Sequence, residues 1–209
     1  LSYSSIDGAY DLTMIADSAV TLAGDIGSST ALNTLDISTT SGNITLSGDI
    51  TVTSNGSDAI VINAGSDTEV GTATGGNILV SDSPTYTTGI GGIVKLYTGS
   101  VSNSIGLTNF IGSGSHRFRY YSDETNTNYS AALTSDKYGI YREQPTLIIT
   151  ADDETVTYGT APTESVTITG TVNGDNSSTV LTTSASISIA GDTSTSNNYI
   201  VGDHTITPS

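Results

Sequence analysis

Cysteine and tryptophan are both absent from these 209 residues. The chain therefore has no disulfide, no thiolate nucleophile and no Cys-based metal site. Basic residues are scarce: five Lys and Arg stand against 21 Asp and Glu, a formal net charge of −16. Such a surface repels nucleic acid and anionic membranes, so neither is expected as a partner. The only histidines are His116 and His204. No Ser/His/Asp spacing accompanies them, so no catalytic residue, cofactor site or metal site is assigned and the chain is read as a non-enzyme. No apolar run reaches the length of a membrane span, and no signal peptide is recognisable, so membrane insertion is not expected. Good helix formers never gather at the helical period, so helix is expected nowhere. The chain opens on Leu1 and not Met, so we expect a piece of something longer, with export signals and anchors outside it.

What is abundant is Ser and Thr, together 67 residues, about a third of the chain. Thr suits the solvent face of a pleated sheet, and the weak charge and regular patterning argue against disorder. The pattern is clearest from Ile37 to Ile50, where Ile44 and Leu46 alternate with polar residues between the corners Ser41-Gly42-Asn43 and Ser47-Gly48-Asp49. Val20-Thr-Leu-Ala-Gly-Asp-Ile26 aligns with Ile44-Thr-Leu-Ser-Gly-Asp-Ile50 at an offset of 24 residues. A unit recurring at that distance points to stacked coils, each unable to bury its apolar side chains alone. Residues 1–27 read as one such coil. From Ile44 to Ile78 the offset grows to 34, with Gly65–Gly76 as the inserted loop.

Strands of about four to six residues are expected. The expected inward positions are Leu12, Val20, Leu22, Leu35, Ile37, Ile44, Leu46, Ile50, Val52, Ile60, Ile62, Ile78, Val80, Val94 and Leu96. An antiparallel sandwich is the rival reading, but residues 1–94 hold no Trp or Phe to anchor its core. A β-solenoid over residues 1–144 is favoured, and its repeat gives out by about residue 100.

All five bases (Lys95, Arg117, Arg119, Lys137 and Arg142) lie within residues 95–142, together with most of the aromatics. Residues 97–144 read first as a cap that closes the open column and hides its edge strands. The same segment offers a contact surface made of Arg117, Arg119, Tyr120, Tyr121 and Tyr129, since aromatics stack on sugars and Arg pairs with carboxylates. Pro145 marks a boundary. Beyond it, Thr146–Ala151, Thr155–Tyr158, Ser165–Thr169, Thr179–Thr182, Ile187–Ile189 and His204–Thr207 read as strands of a small all-β unit over residues 145–209. Asp152-Asp153-Glu154 reads as a solvated turn that could also hold a hard cation.

Several of these stretches carry a family resemblance. Asp7-Gly-Ala-Tyr-Asp-Leu-Thr13, Leu32-Asn-Thr-Leu-Asp-Ile37 and the Gly-Asn-Ile-Thr-Leu-Ser-Gly-Asp-Ile unit resemble the repeats of filamentous-haemagglutinin-type bacterial exoproteins. Arg117-Phe-Arg-Tyr-Tyr-Ser-Asp-Glu124 and Tyr141-Arg-Glu-Gln-Pro145 resemble the junction where such repeats end. Leu147-Ile-Ile-Thr-Ala-Asp-Asp153 with Thr157-Tyr-Gly159, and Val201–Ser209, are similar to YGX-type MBG modules of adhesins. The resemblance implies a right-handed parallel β-helix with a small β-sandwich or β-grasp-like module after it. It also implies secretion by a two-partner-type route and a role in adhesion, biofilm or surface assembly. Modules of this type continue past Thr-Pro-Ser with a further strand, so the final module is expected to be cut short or completed by a neighbouring molecule.

The function expected is that of a structural or adhesive segment at the bacterial cell surface, meeting a cell-surface glycan or protein, or copies of itself. A self-assembling filament or sheath subunit joined by strand addition is the first alternative. A polysaccharide-active β-helix enzyme is the second, and the lack of any base in residues 1–94 counts against it.

Overall fold

The computed structural model describes residues 5–209. The expected first coil over residues 1–27 begins on residues 1–4, which lie outside the described residues. The chain is mostly β with almost no helix, and it divides into two compact units, Leu1–Gln144 and Pro145–Ser209.

In the first unit the strands are β1 (Ser5–Ile6), β2 (Leu12–Ala16), β3 (Val20–Leu22), β4 (Asp25–Ile26), β5 (Leu35–Thr39), β6 (Ile44–Leu46), β7 (Ile50–Thr51) and β8 (Ile60–Ala64). They continue as β9 (Ile78–Val80), β10 (Tyr86–Thr87) and β11 (Val94–Thr98), then a short helix α1 (Leu107–Ile111), β12 (Phe118–Arg119) and β13 (Lys137–Tyr141). Three sheets result, with orders β1-β4-β7-β10, β12-β13-β11-β8-β5-β2 and β3-β6-β9. Every pairing among them is parallel. From β1 to β11 the chain visits the three sheets in strict rotation.

The registers explain the sequence repeat. Val20 pairs with Ile44 and Ile26 with Ile50, the 24-residue offset of the aligned units. Ile44 in turn pairs with Ile78. Side chains at alternate positions share a face, so each apolar alternation contributes a column of like residues. Leu35, Ile60 and Val94 form one column, and Ile37, Ile62 and Leu96 another. All six are buried, as are all the expected inward residues except Leu12 and Val80, which are half-buried. Burying one such side chain is worth about 1.5–3 kcal/mol, and the stacked columns are the main source of cohesion here.

At the corners a different bond takes over. The Oδ1 of Asp25 accepts the Asp49 amide at 3.0 Å, and the Oδ1 of Asp49 accepts the Thr85 amide at 2.7 Å. Gly48 is required where two passes nearly touch: a Cβ there would lie 2.2 Å from the Gly24 carbonyl oxygen.

Five expectations about the fold are corrected, the last of them in the second unit. Strands are two to five residues long, because each corner releases the ladder early. The repeat does not give out at residue 100 in every sheet: β13 and β12 extend the six-stranded sheet. Among the described residues helix occurs twice, as α1 and as α2 (Ser177–Val180) in the second unit. Residues 179–182 and 155–158 are not strands. Around Asn176, local hydroxyls compete with a ladder: Ser178 donates to Asn176 Oδ1 at 2.6 Å and Thr179 Oγ1 accepts the Asn176 amide at 3.2 Å.

The second unit holds two antiparallel pairs, β14 (Ile148–Ala151) with β15 (Val166–Thr169) and β16 (Ile187–Ala190) with β17 (Thr205–Pro208). The turn expected at residues 152–154 lies further on. The Asp152 amide still bonds to the Ser165 carbonyl at 3.1 Å, and the chain reverses at Thr157–Thr160, where Gly159 takes a φ of 89°. Ile149 faces Ile168, and Ile189 faces Ile206. These apolar rows are only half-buried, and Asn173 is the sole buried residue of this unit.

Candidate functional site

The aromatic and basic segment divides between the two faces of the six-stranded sheet. Phe118 points into the core and lies 6.3 Å from the Tyr141 ring, while Tyr120 stacks on Tyr141 at 5.6 Å. Arg119, one residue away, stands on the opposite face. Its guanidinium sits 5.3 Å from the ring centroids of both Tyr129 and Tyr138, and its Nη1 donates to the carbonyls of His116 and Phe118. A cation held between two π faces keeps its charge while shedding water.

On that outward face Ile93, Tyr97, Tyr138 and Ile140 make a second apolar cluster, with Val61 and Leu133 packed on it. Burial pushes the Tyr97 hydroxyl far above the usual tyrosine range. Beside this cluster Lys95 donates to Asp58 at 2.6 Å, a bond that holds the Asp58 carboxyl below its usual range. Burial, with Asp58 as a neighbour, raises Asp36.

The five residues expected to form one contact surface are thus placed separately. Arg119 and Tyr129 meet. Arg117 is bound to Asp136 at 2.8 Å and to the Ile111 carbonyl at 3.2 Å. Tyr120 packs against the core, and Tyr121 is exposed with a φ of 51°. Ser122 and Asp123 follow, both buried. Burial pushes the Asp123 carboxyl up, but hydrogen bonds from Asn126 and Thr125 outweigh it and hold it below its usual range. Its other oxygen accepts the Val70 amide at 3.0 Å, tying the Gly65–Gly76 loop to this segment.

Arg142 is the residue that pattern reading passes over. It is fully buried, and its Nη2 donates to the carbonyls of Gly76 at 2.9 Å and Thr74 at 3.3 Å. Gly65 and Gly99 leave it room, since a Cβ on either would meet that nitrogen at 2.9 and 3.1 Å. In the sequence it stands in the Tyr141-Arg-Glu-Gln-Pro145 junction, where nothing marks it as buried. The side-chain corners were more visible: Gly42-Asn43-Ile44 recurs as Gly76-Asn77-Ile78, and the Asn43 side chain bonds to the Asn77 amide.

His204 is engaged in its own unit, with Nε2 2.8 Å from the Ile200 carbonyl and its ring 5.1 Å from that of Tyr199. Among the described residues no group of three or more His, Cys, Asp or Glu side chains is gathered to hold a metal ion. No helix among them is long and apolar enough to cross a membrane. Residues 147–209 match the family model of the MBG domain (YGX type). Domains of this kind occur in bacterial surface proteins, which is consistent with a structural or adhesive role at a surface. No curated protein and no solved structure matches the chain.

Proposed function

We propose that the chain is a structural and adhesive segment of a secreted bacterial surface protein. In this reading residues 1–144 form a right-handed parallel β-helix of filamentous-haemagglutinin type, and residues 145–209 an MBG module of β-sandwich or β-grasp-like build. The observation that carries it is the MBG match at residues 147–209, set beside parallel strands that return to the same three sheets in turn. That return is what a chain of stacked coils produces. The role is structural and non-enzymatic, and it needs no cofactor. The partner is a cell-surface glycan or protein, or another copy of the chain, met outside the cell without membrane insertion. Antibody against the purified chain, applied to intact cells that make it, tests the reading. Labelling of intact cells is expected; a signal seen only after lysis would sink the proposal.

A second reading, a filament or sheath subunit joined by strand addition, is favoured by one feature. Among the described residues β2 ends the six-stranded sheet, and its inward residues Leu12, Met14 and Ala16 are only half-buried. A strand edge of this kind is a template for another chain. Sedimentation separates the readings, since a strict monomer at every concentration rules out the filament.

A further inference from the structure

The corner between β9 and β10 breaks the repeat. Leu22 and Ile26, like Leu46 and Ile50, stand four residues apart, and these pairs stack on one another in parallel register. In the next pass the partners are Val80 and Tyr86, six apart. Both flanks keep the regular bonds: the Ser81 amide donates to the Leu46 carbonyl at 3.0 Å, and the Thr85 amide to Asp49 Oδ1 at 2.7 Å. Between these bonds Asp82, Ser83 and the buried Pro84 stand where the pass before has Gly48 alone, an excess of two residues; Asp82 and Ser83 are both exposed. Both take left-handed backbone conformations, with φ of 57° and 53°. Two successive non-glycine residues in that region form a corner that only surrounding structure can impose.

The extra residues make one wall of a cleft of about 340 Å³, at the small end of ligand sites. Its other wall is α1 with Gly106, Asn109 and Phe110, and Lys137 completes it. The Lys137 ammonium lies 4.1 Å from the Phe110 ring centroid. The other four bases are occupied: Lys95 by Asp58, Arg117 by Asp136, Arg119 between two tyrosines and Arg142 in the core. Among the described residues, Lys137 is the cation whose charged group has neither a hydrogen bond nor an ion pair. Burial already pulls it below the usual lysine range, so a carboxylate arriving there relieves a cation that has lost part of its water.

From this geometry we infer that the cleft is a binding site for a sugar residue carrying a carboxylate, of the uronic-acid kind, with Lys137 meeting the carboxylate. The lining suits that ligand. Ser81, Ser83 and Asn109 offer groups that both donate and accept, as ring hydroxyls require, while Val80 and Pro84 offer apolar contact for C–H faces. Asp82 lines the same cleft and leaves Lys137 as its positive end, so a carboxylate is turned toward Lys137. A peptide carboxylate shares the charge but not the ring of hydroxyls. The site goes beyond the surface role proposed above and does not depend on where the chain is displayed.

Calorimetric titration of the whole 209-residue chain tests the inference with three probes: digalacturonic acid, its methyl ester and N-acetylglutamate. Saturable binding of digalacturonic acid alone is expected, weakening as salt is raised. Lys137→Gln should weaken it about tenfold or more, with Lys137→Arg within about threefold of the parent. Replacing Asp82, Ser83 and Pro84 by a single glycine, a net deletion of two residues that restores the regular Ser-Gly corner, should abolish binding without lowering the melting temperature. If Lys137→Gln fails to fold, the deletion and Asn109→Ala decide the matter. The inference is overturned if acid and ester bind alike, if N-acetylglutamate binds as tightly as the disaccharide, if the deletion variant still binds, or if digalacturonic acid does not saturate. None of these outcomes touches the cell-labelling test of surface display.

Discussion

The Oδ1 of Asn43 accepts the backbone amide of Asn77 at 2.9 Å, across 34 residues of chain. Asn77 repeats the act, its own Oδ1 accepting the Ser100 amide at 2.7 Å. Both bonds sit where the chain enters a corner and the strand ladder lapses. A side-chain carbonyl there replaces the missing main-chain acceptor, which matters most at the buried Ser100, whose amide is thereby not left without a partner.

Asn77→Ala should therefore destabilise the first unit by about 1–3 kcal/mol, since the Ser100 amide loses its acceptor at a buried position. Urea denaturation followed by circular dichroism measures it. A shift smaller than that of an exposed control such as Asn55→Ala would show the corner bond to be incidental.

Gly48→Ala should cost about 1–3 kcal/mol, because its methyl would lie 2.2 Å from the Gly24 carbonyl oxygen. Gly56→Ala, where the nearest atom is the Ser54 hydroxyl oxygen at 3.5 Å, should change stability little. Equal melting temperatures for the two variants would contradict the close approach of successive passes.

Arg142→Ala removes a buried donor and leaves a hole, and is expected to cost about 3–5 kcal/mol. Arg142→Met fills much of the hole and removes a buried charge. The Gly76 carbonyl keeps the Gly99 amide at 2.9 Å, so Met orphans chiefly the Thr74 carbonyl and should cost clearly less than Ala. Denaturant midpoints in the reverse order would mean that the charge itself matters.

Acid should loosen the first unit through Asp123, whose folded carboxyl lies below its usual range. A depressed carboxyl adds stability above its unfolded value, about 3.9, and loses it as pH falls through the folded value. The urea midpoint should stay level from about pH 7 to 5 and fall below about pH 4. In Asp123→Asn the fall should be shallower and start from a lower midpoint, as the Thr125, Asn126 and Val70 amides compete for one fewer charged acceptor. An unchanged acid profile in this variant would remove Asp123 from the account.

Much of the first unit was legible because its signal is repetitive. Val20 against Ile44 and Ile44 against Ile78 follow from apolar alternation between glycine corners, and the buried columns follow with them. Lys137–Tyr141 beside Val94–Thr98 was not legible, because a 43-residue separation with an aromatic insert hides the register. The contact residues gave mixed returns. Composition marked the Arg and Tyr cluster, but strand alternation sends Arg119 to one face and Phe118 and Tyr120 toward the core, which no composition reveals. The Asp82–Ser83 corner could have been read as a two-residue excess over the Leu46–Ile50 spacing. Its wall partner α1 is five residues long, too short for any periodic signal.

The parallel registers also govern how the first unit comes to exist. Among the described residues its strand partners are never closer than 20 residues in the chain, the separation of Ser5 from Asp25. No hairpin can therefore form as a local seed, and loop-closure entropy is spent before the first rung gains any contact. Once one pass is laid on another, the next finds a finished template and only its own loop to close. Folding of this unit is thus limited by nucleation and then proceeds by accretion, slow to start and quick to spread. Whichever pair of passes meets first sets the clock.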